Sequence, residues 1–203
     1  MSLSRYPLRT SVGALAAILA LTVLSAAQVS EPGASPKIKN FGQMDERFYR
    51  GAQPKMDDYR DLAALGIKTV IDLREDPTSY EKPAVEALGM RYVNIPMVAK
   101  KYPRQEQIDQ FLRLVDDPAT GKFFVHCAGG RHRTGVMGAV YRFRYYHWNF
   151  DQVYQEMKDY DFYTRWGHGA FKEFVRDYWQ HMQASGISTS AGESSSQSSQ
   201  QHD

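Results

Sequence analysis

Apolar positions change their spacing several times along the chain, and each change marks an element. Arg47 to Arg50 is a short strand candidate before a glycine. Asp57 to Leu65 has helical spacing and stops at Gly66, a residue suited to the left-handed turn that ends helices. Ile67 to Leu73 is a continuous apolar run of buried-strand length. Tyr80 to Leu88 predicts a short helix stopped by Gly89, with Pro83 acceptable only in its first turn. Arg91 to Ile95 predicts a strand broken by Pro96. Ile108, Phe111, Leu112 and Val115 form a helical stripe within Gln105 to Val115. Asp117 to Gly121 is a turn, and Lys122 to His126 a strand running into Cys127. Thr134 to Tyr146 predicts a helix, Asn149 with Gln152 a capping signal for the next, and Gly169 to Met182 an amphipathic last helix.

Strands alternating with helices predict a single α/β domain: a central, mainly parallel sheet flanked by helices, with right-handed crossovers. In such sheets ligands gather at the carboxyl ends of strands. Cys127 falls at one of those ends.

The two ends of the chain read differently. Arg5 and Arg9 precede a 13-residue apolar run, Val12 to Leu24, followed by Ser25-Ala26-Ala27. This order of charge, apolar run and small residues predicts an export signal over 1–27, with a secreted or periplasmic product, or a membrane anchor if uncleaved. A buried core helix is the competing reading. The run is short for a membrane span, so no stable span is expected after cleavage. Residues 28–39 are expected to be a flexible lead-in and 40–183 the folded domain. Residues 184–203 hold eight Ser and three Gln among 20 and almost no large apolar side chain. Such a stretch cannot bury enough surface to offset its ordering entropy and is expected to be a disordered tail.

Composition narrows the function. The 203 residues include 25 Lys+Arg and 23 Asp+Glu. Removing Arg5 and Arg9 with the signal leaves 23 bases and 23 acids, a neutral domain. That balance argues against a nucleic-acid partner. A single cysteine excludes an intramolecular disulfide and any multi-cysteine metal site. No His/Asp/Glu cluster is visible along the sequence, and neither a metal nor another cofactor is expected.

The remaining cysteine sits in the segment His126-Cys127-Ala128-Gly129-Gly130-Arg131-His132-Arg133-Thr134-Gly135, between a predicted strand and a predicted helix. Physically this is a phosphate site. Gly129 and Gly130 allow the loop's backbone N–H groups to turn inward around an anion. The following helix aims its positive N-terminus at the same point. Both effects favour a thiolate at Cys127. Arg133 can grip two phosphate oxygens at once. The Thr134 hydroxyl can donate to the sulfur when it must leave.

The segment matches HCxxGxxR[ST]G in full and resembles the cysteine-dependent phosphatases of the protein tyrosine and dual-specificity superfamily. Phe48-Tyr49-Arg50-Gly51, Val70 to Arg74 and Val93 to Pro96 extend the resemblance to small atypical dual-specificity enzymes of the bacterial exported and plant or fungal types, over about 40–152. The resemblance implies a two-step mechanism. Cys127 attacks phosphorus and forms a phosphocysteine, Arg133 and the amides of Ala128, Gly129, Gly130, Arg131 and His132 stabilise the oxygens, and water releases phosphate. His126 would orient loop backbone rather than act as a base, and the His132 ring would either touch substrate or pack.

One station departs from the family pattern. The aspartate acid expected after the strand near Pro96 is missing from Met97 to Pro103, where Lys100 and Lys101 stand instead. Asp72, Glu106 and Asp109 are the substitutes weighed first, with Asp76, Asp159 and Asp161 as further options. Alternatively, the leaving group needs little protonation. Plant and fungal members carry a similar Lys-Lys-x-Pro segment, and some cleave inositol pyrophosphates, a dense anion that Lys100, Lys101, Arg131 and His132 could contact. The expected function is therefore a monomeric phosphatase acting on phosphotyrosine or other phosphorylated protein, or on inositol phosphates and pyrophosphates. A non-catalytic phosphate-binding module and a rhodanese-like sulfur transferase are the rivals from other classes. The Arg133-Thr134-Gly135 ending speaks against the second.

Overall fold

The computed structural model describes residues 36–186, all within the compact unit Ser35–Asp203. The readings of 1–27 and of nearly all the Ser-rich tail fall outside the described residues. Among the described residues, no helix is long and apolar enough to cross a membrane.

Five strands form one sheet: β1 (Gly42–Gln43), β2 (Phe48–Ala52), β3 (Ile67–Arg74), β4 (Arg91–Met97) and β5 (Lys122–Cys127). Their order is β1-β2-β5-β3-β4, with β1 antiparallel to β2 and every other pairing parallel. The helices are α1 (Asp58–Ala64), α2 (Glu81–Ala87), α3 (Gln105–Asp116), α4 (Arg133–Tyr146), α5 (Phe150–Asp159) and α6 (Gly169–Ala184). The mainly parallel α/β sheet is as expected. The two-residue β1 was not foreseen, because so short an element leaves no periodicity.

Strand alternation divides the core. Phe123, Val125 and Cys127 of β5 and Ile71 and Leu73 of β3 join the core beneath α3 to α6. Phe124 of β5 and Val70 of β3 join the smaller core beneath α1 and α2, with Tyr59, Leu62 and Val85. His126 and Asp72 pair in register with each other and share that second face. This parity decides the fate of both residues.

Three boundaries move. Strand β4 does not stop at Ile95 but passes through Pro96 to Met97. It is an edge strand, where a missing N–H costs no ladder bond, and a register shift against β3 takes up the extra residue. Order also starts before Asn40. Ile38 is buried in the α1/α2-side core, and the Lys39 carbonyl accepts a hydrogen bond from Ala52 N (2.8 Å). Helix α6 runs on to Ala184. The capping signal at Asn149 is realised, its side chain and that of Gln152 each bonding the other's backbone N–H.

Candidate active site

Cys127 is the last residue of β5 and Arg133 the first of α4, so the loop between them lies at the carboxyl end of the sheet. Its carbonyl oxygens are engaged from outside. Gln53 N donates to Ala128 O (3.4 Å), Asn40 Nδ2 to Gly129 O (2.8 Å) and Arg50 Nη2 to Gly130 O (2.8 Å). With three successive carbonyls drawn outward, the loop's N–H groups are free to face the interior of the turn. Arg50 is 1% exposed, stacks over the Tyr160 ring at 3.9 Å, and is lowered by burial to a pKa of about 10. None of Asn40, Arg50 and Gln53 was read as a site residue. The available signal was an arginine and a glutamine beside a short apolar strand.

Gly130 adopts φ +67°, and a Cβ there would stand 2.5 Å from Gly51 C and 2.6 Å from Ala52 N. The loop thus rests on β2 backbone, which cannot retreat. Gly130→Ala is expected to destabilise the fold by about 2–5 kcal/mol through positive-φ strain plus overlap. It should also weaken orthovanadate binding, checked by urea unfolding and by vanadate inhibition.

The Cys127 thiol is 4% exposed and free. Burial pushes its pKa up, but the net shift is downward. The Thr134 hydroxyl, the Arg133 charge and the N–H groups of Thr134 and Gly129 together outweigh burial. Among the described residues the buried Thr134 hydroxyl is without another partner, and it lowers the pKa of the Cys127 sulfur it faces. Arg133 Nη1 donates to Met97 O (3.1 Å) and more loosely to Leu73 O (3.4 Å). These two carbonyls, at the ends of β4 and β3, aim the guanidinium across the mouth of the loop. A thiolate in an N–H-lined turn beside a fixed guanidinium can bind a phosphoryl dianion and attack it.

His132 is a packing residue. Its Nε2 lies 3.0 Å from Tyr163 O and its ring stacks on His168 at 3.7 Å. Burial, then the neighbouring His168, lower its pKa to about 4, so the ring is neutral and donates to that carbonyl. Of the two readings of this ring, touching substrate or packing, the geometry is that of packing: the ring turns to the α5–α6 connection. Arg131 extends the same way, with Nε 3.5 Å from Asp161 Oδ2 and its guanidinium near Tyr163. Arg131, Asp161, Tyr163, Arg165 and Trp166 line a cleft of about 410 Å³. Lys100, at φ +65°, lays its stem near Gly167 of the same connection. Lys101 lines a different, smaller cleft with Tyr102, Pro103 and Gln107.

The acid candidates are corrected. Asp72 is fully buried on the α1/α2 face, where it accepts from Tyr92 OH (2.9 Å) and Arg74 N (2.8 Å). It points to the face opposite the Cys127 side chain. Glu106 is exposed on the first turn of α3, and Asp109 bonds Gln105 beside it (2.8 Å). Among the described residues, neither has a hydrogen bond or ion pair to the loop. The carboxylates brought to the loop are Asp161, through Arg131, and Asp76. Asp76 is held down in pKa chiefly by Arg74 at 3.1 Å and more weakly by Arg133.

His126 does not bond loop backbone as expected. Its ring is fully buried on the α1/α2 face, with Nε2 2.7 Å from Glu81 Oε1 and 3.8 Å from Asp72 Oδ1. The cluster of Asp72, Glu81 and His126, invisible along the sequence, offers three groups within 4.8 Å of one another. Two ligands of one tetrahedral zinc ion stand roughly 3.3 Å apart, given metal–ligand distances near 2 Å. The 2.7 Å approach of His126 Nε2 to Glu81 Oε1 is shorter, a direct contact between the two side chains.

Residues 26–177 match the family described as DSP-PTPase phosphatase fused to NAD+ kinase. Mouse dual specificity protein phosphatase 26 is 28% identical over 117 residues, covering 55% of this chain and 55% of that protein. Chloroplastic NAD kinase 2 of Arabidopsis thaliana is 30% identical over 96 residues, covering 44% of this chain and only 10% of the plant protein. The matched stretch thus spans about half or less of these two relatives. Among solved structures, P. aeruginosa TpbA superposes with a TM-score of 0.57 at 23% identity, covering 77% of this chain and 92% of that one. The catalytic core of the PP-IP phosphatase SIW14 from S. cerevisiae gives 0.59 at 17%, covering 74% and 94%. At these identities the two structures share the fold.

Proposed function

Since the chain belongs to the DSP-PTPase phosphatase family, we propose that it is a cysteine phosphatase hydrolysing phosphate monoesters through a phosphocysteine on Cys127. The observation that carries this reading is the Cys127 sulfur itself. It is buried, lowered in pKa, and faced by the Thr134 hydroxyl and by loop N–H groups whose carbonyls are tied outward.

In the first step the thiolate forms an S–P bond as the ester P–O bond breaks. Arg133 and the loop amides hold the equatorial oxygens throughout. The departing oxygen takes a proton from Asp161, the carboxylate that meets the loop through Arg131. In the second step Asp161 accepts a proton from water as that water attacks phosphorus. The S–P bond breaks, Thr134 stabilises the leaving thiolate, and inorganic phosphate departs. The Arg133-Thr134-Gly135 ending of the loop speaks against sulfur transfer.

The preferred substrate in this reading is phosphotyrosine. A TpbA variant has been crystallised with that ligand, and Tyr163 and Trp166 offer an aromatic wall beside the loop. Condensed inositol phosphates are the second reading, favoured by Arg131 and Arg165 around one cleft and by the likeness to SIW14.

The test is a panel of phosphotyrosine peptide, phosphoserine peptide, aryl phosphates of graded leaving-group acidity, and inositol pyrophosphate. Rapid-quench mass spectrometry should find a phosphate on Cys127. Asp161→Asn is expected to slow poor leaving groups about a hundredfold and nitrophenyl phosphate far less, the signature of a lost acid. Equal losses across the series would remove Asp161 from the role. No turnover and no labelled cysteine would leave the phosphate-binding module as the better reading.

A further inference from the structure

Asp161 rides on 160–168, the connection between α5 and α6. Its contact with Arg131 is too weak to fix a proton donor. Oδ2 stands 3.5 Å from Nε, and the Asp161 side chain is 57% exposed. An ion pair so open to water contributes little and breaks easily. The backbone does not favour this course either. Asp161 lies at φ +63° and Trp166 at +57°, left-handed conformations that residues with a Cβ resist. Other contacts must hold the connection against the loop.

The next residue of the loop supplies them. His132, between Arg131 and Arg133, turns its ring into an aromatic socket. Ring centroids lie at 3.7 Å for His168, 4.4 Å for Tyr163 and 5.1 Å for Phe162. His132 Nε2 stands 3.0 Å from Tyr163 O. His168 also packs on Tyr163 at 5.1 Å, and its Nδ1 lies 3.0 Å from Arg165 O. Phe162 is buried in the larger core, and its N–H closes the end of α5 on Met157 O (3.1 Å). Consecutive loop residues thus grip consecutive parts of the connection. Arg131 meets 161, His132 meets 162 and 163, and His168 closes the far end from the start of α6.

We propose that His132 and His168 are positioning residues for the proton donor: their stack fastens the α5–α6 connection to the phosphate loop and so fixes Asp161 beside Arg131. The proposal rests on the reading of Asp161 as the acid. Proton transfer needs hydrogen-bond reach, and a donor displaced by about 1 Å loses much of its effect on the departing oxygen. Attack by Cys127 on an ester whose leaving group needs no proton makes no demand on the connection. The stack therefore matters in proportion to how poor the leaving group is.

The test uses the full chain with His168→Ala and with His168→Phe, which keeps a ring against His132. Rates are compared on phenyl phosphate, whose leaving oxygen needs a proton, and on nitrophenyl phosphate, whose leaving oxygen needs little help. Hydrogen exchange read by mass spectrometry reports how firmly 160–168 is held. His168→Ala is expected to lower kcat for phenyl phosphate about tenfold and for nitrophenyl phosphate less than about twofold. Exchange should rise in 160–168. His168→Phe should restore most of the phenyl phosphate rate. Added to Asp161→Asn, His168→Ala should cost no more than about twofold further, because it acts through that carboxylate. Equal losses on the two esters, a full additional loss on top of Asp161→Asn, or unchanged exchange would each overturn the proposal. If Asp161→Asn slowed both esters alike while His168→Ala still freed 160–168, the fastening would stand and the acid reading would fail instead.

Discussion

Replacing Cys127 with serine is expected to abolish turnover, by a factor on the order of ten-thousandfold or more, while substrate binding survives or tightens. The reason lies in how the site divides its labour. The thiol's pKa is lowered by Thr134, Arg133 and two amides acting against burial. A serine hydroxyl starts from a far higher pKa, and the same groups cannot ionise it near neutral pH. The anion-holding parts are untouched by the change. Gln53, Asn40 and Arg50 still draw the loop carbonyls outward, and Arg133 is still aimed by Met97 O. The variant also lacks the negative sulfur that opposes an incoming phosphoryl dianion. Quench-flow for turnover and calorimetry with a phosphotyrosine peptide measure the two halves separately. Residual turnover within tenfold of wild type would mean that another group attacks phosphorus.

Arg133→Ala carries the second largest expected effect, a loss of about a thousandfold in kcat/KM. Two contributions combine. The guanidinium no longer meets the equatorial oxygens, whose geometry changes most in the transition state. Its charge also no longer favours the thiolate, so the alkylation midpoint of Cys127 should rise together with the acid limb of the rate profile. Arg133→Lys should rescue little. An ammonium keeps the charge but not the planar fork, and it cannot hold the Met97 and Leu73 carbonyls while facing a phosphate. A lysine variant within tenfold of wild type would show that charge alone is needed there.

The phosphate loop was legible in the sequence because its determinants are contiguous. Strand, glycine turn, arginine and helix start all lie within ten residues, and local backbone physics suffices to read them. The α/β alternation was legible for the same reason, as were the stops at Gly66 and Gly89, both at positive φ in the fold. The missed features depend on residues far apart. Asn40 reaches Gly129 across 89 positions and Arg50 reaches Gly130 across 80. No spacing rule connects such pairs before the chain has folded.

The acid shows the limit most clearly. Asp72 looked suitable because it ends a strand beside the loop, but strand parity sends it with His126 to the far face. Asp161 looked remote, 34 positions beyond Cys127, yet the α5–α6 connection folds back until it touches Arg131. Sequence alone thus determined which residues can do chemistry on phosphorus, since a thiolate site of this kind is built from neighbouring backbone amides and one helix end. Tertiary structure alone decided which side chains hold that loop, to which face of the sheet His126 and Asp72 turn, and which carboxylate comes to Arg131. Those depend on register and on the side of the sheet, and a shift of one residue reverses both.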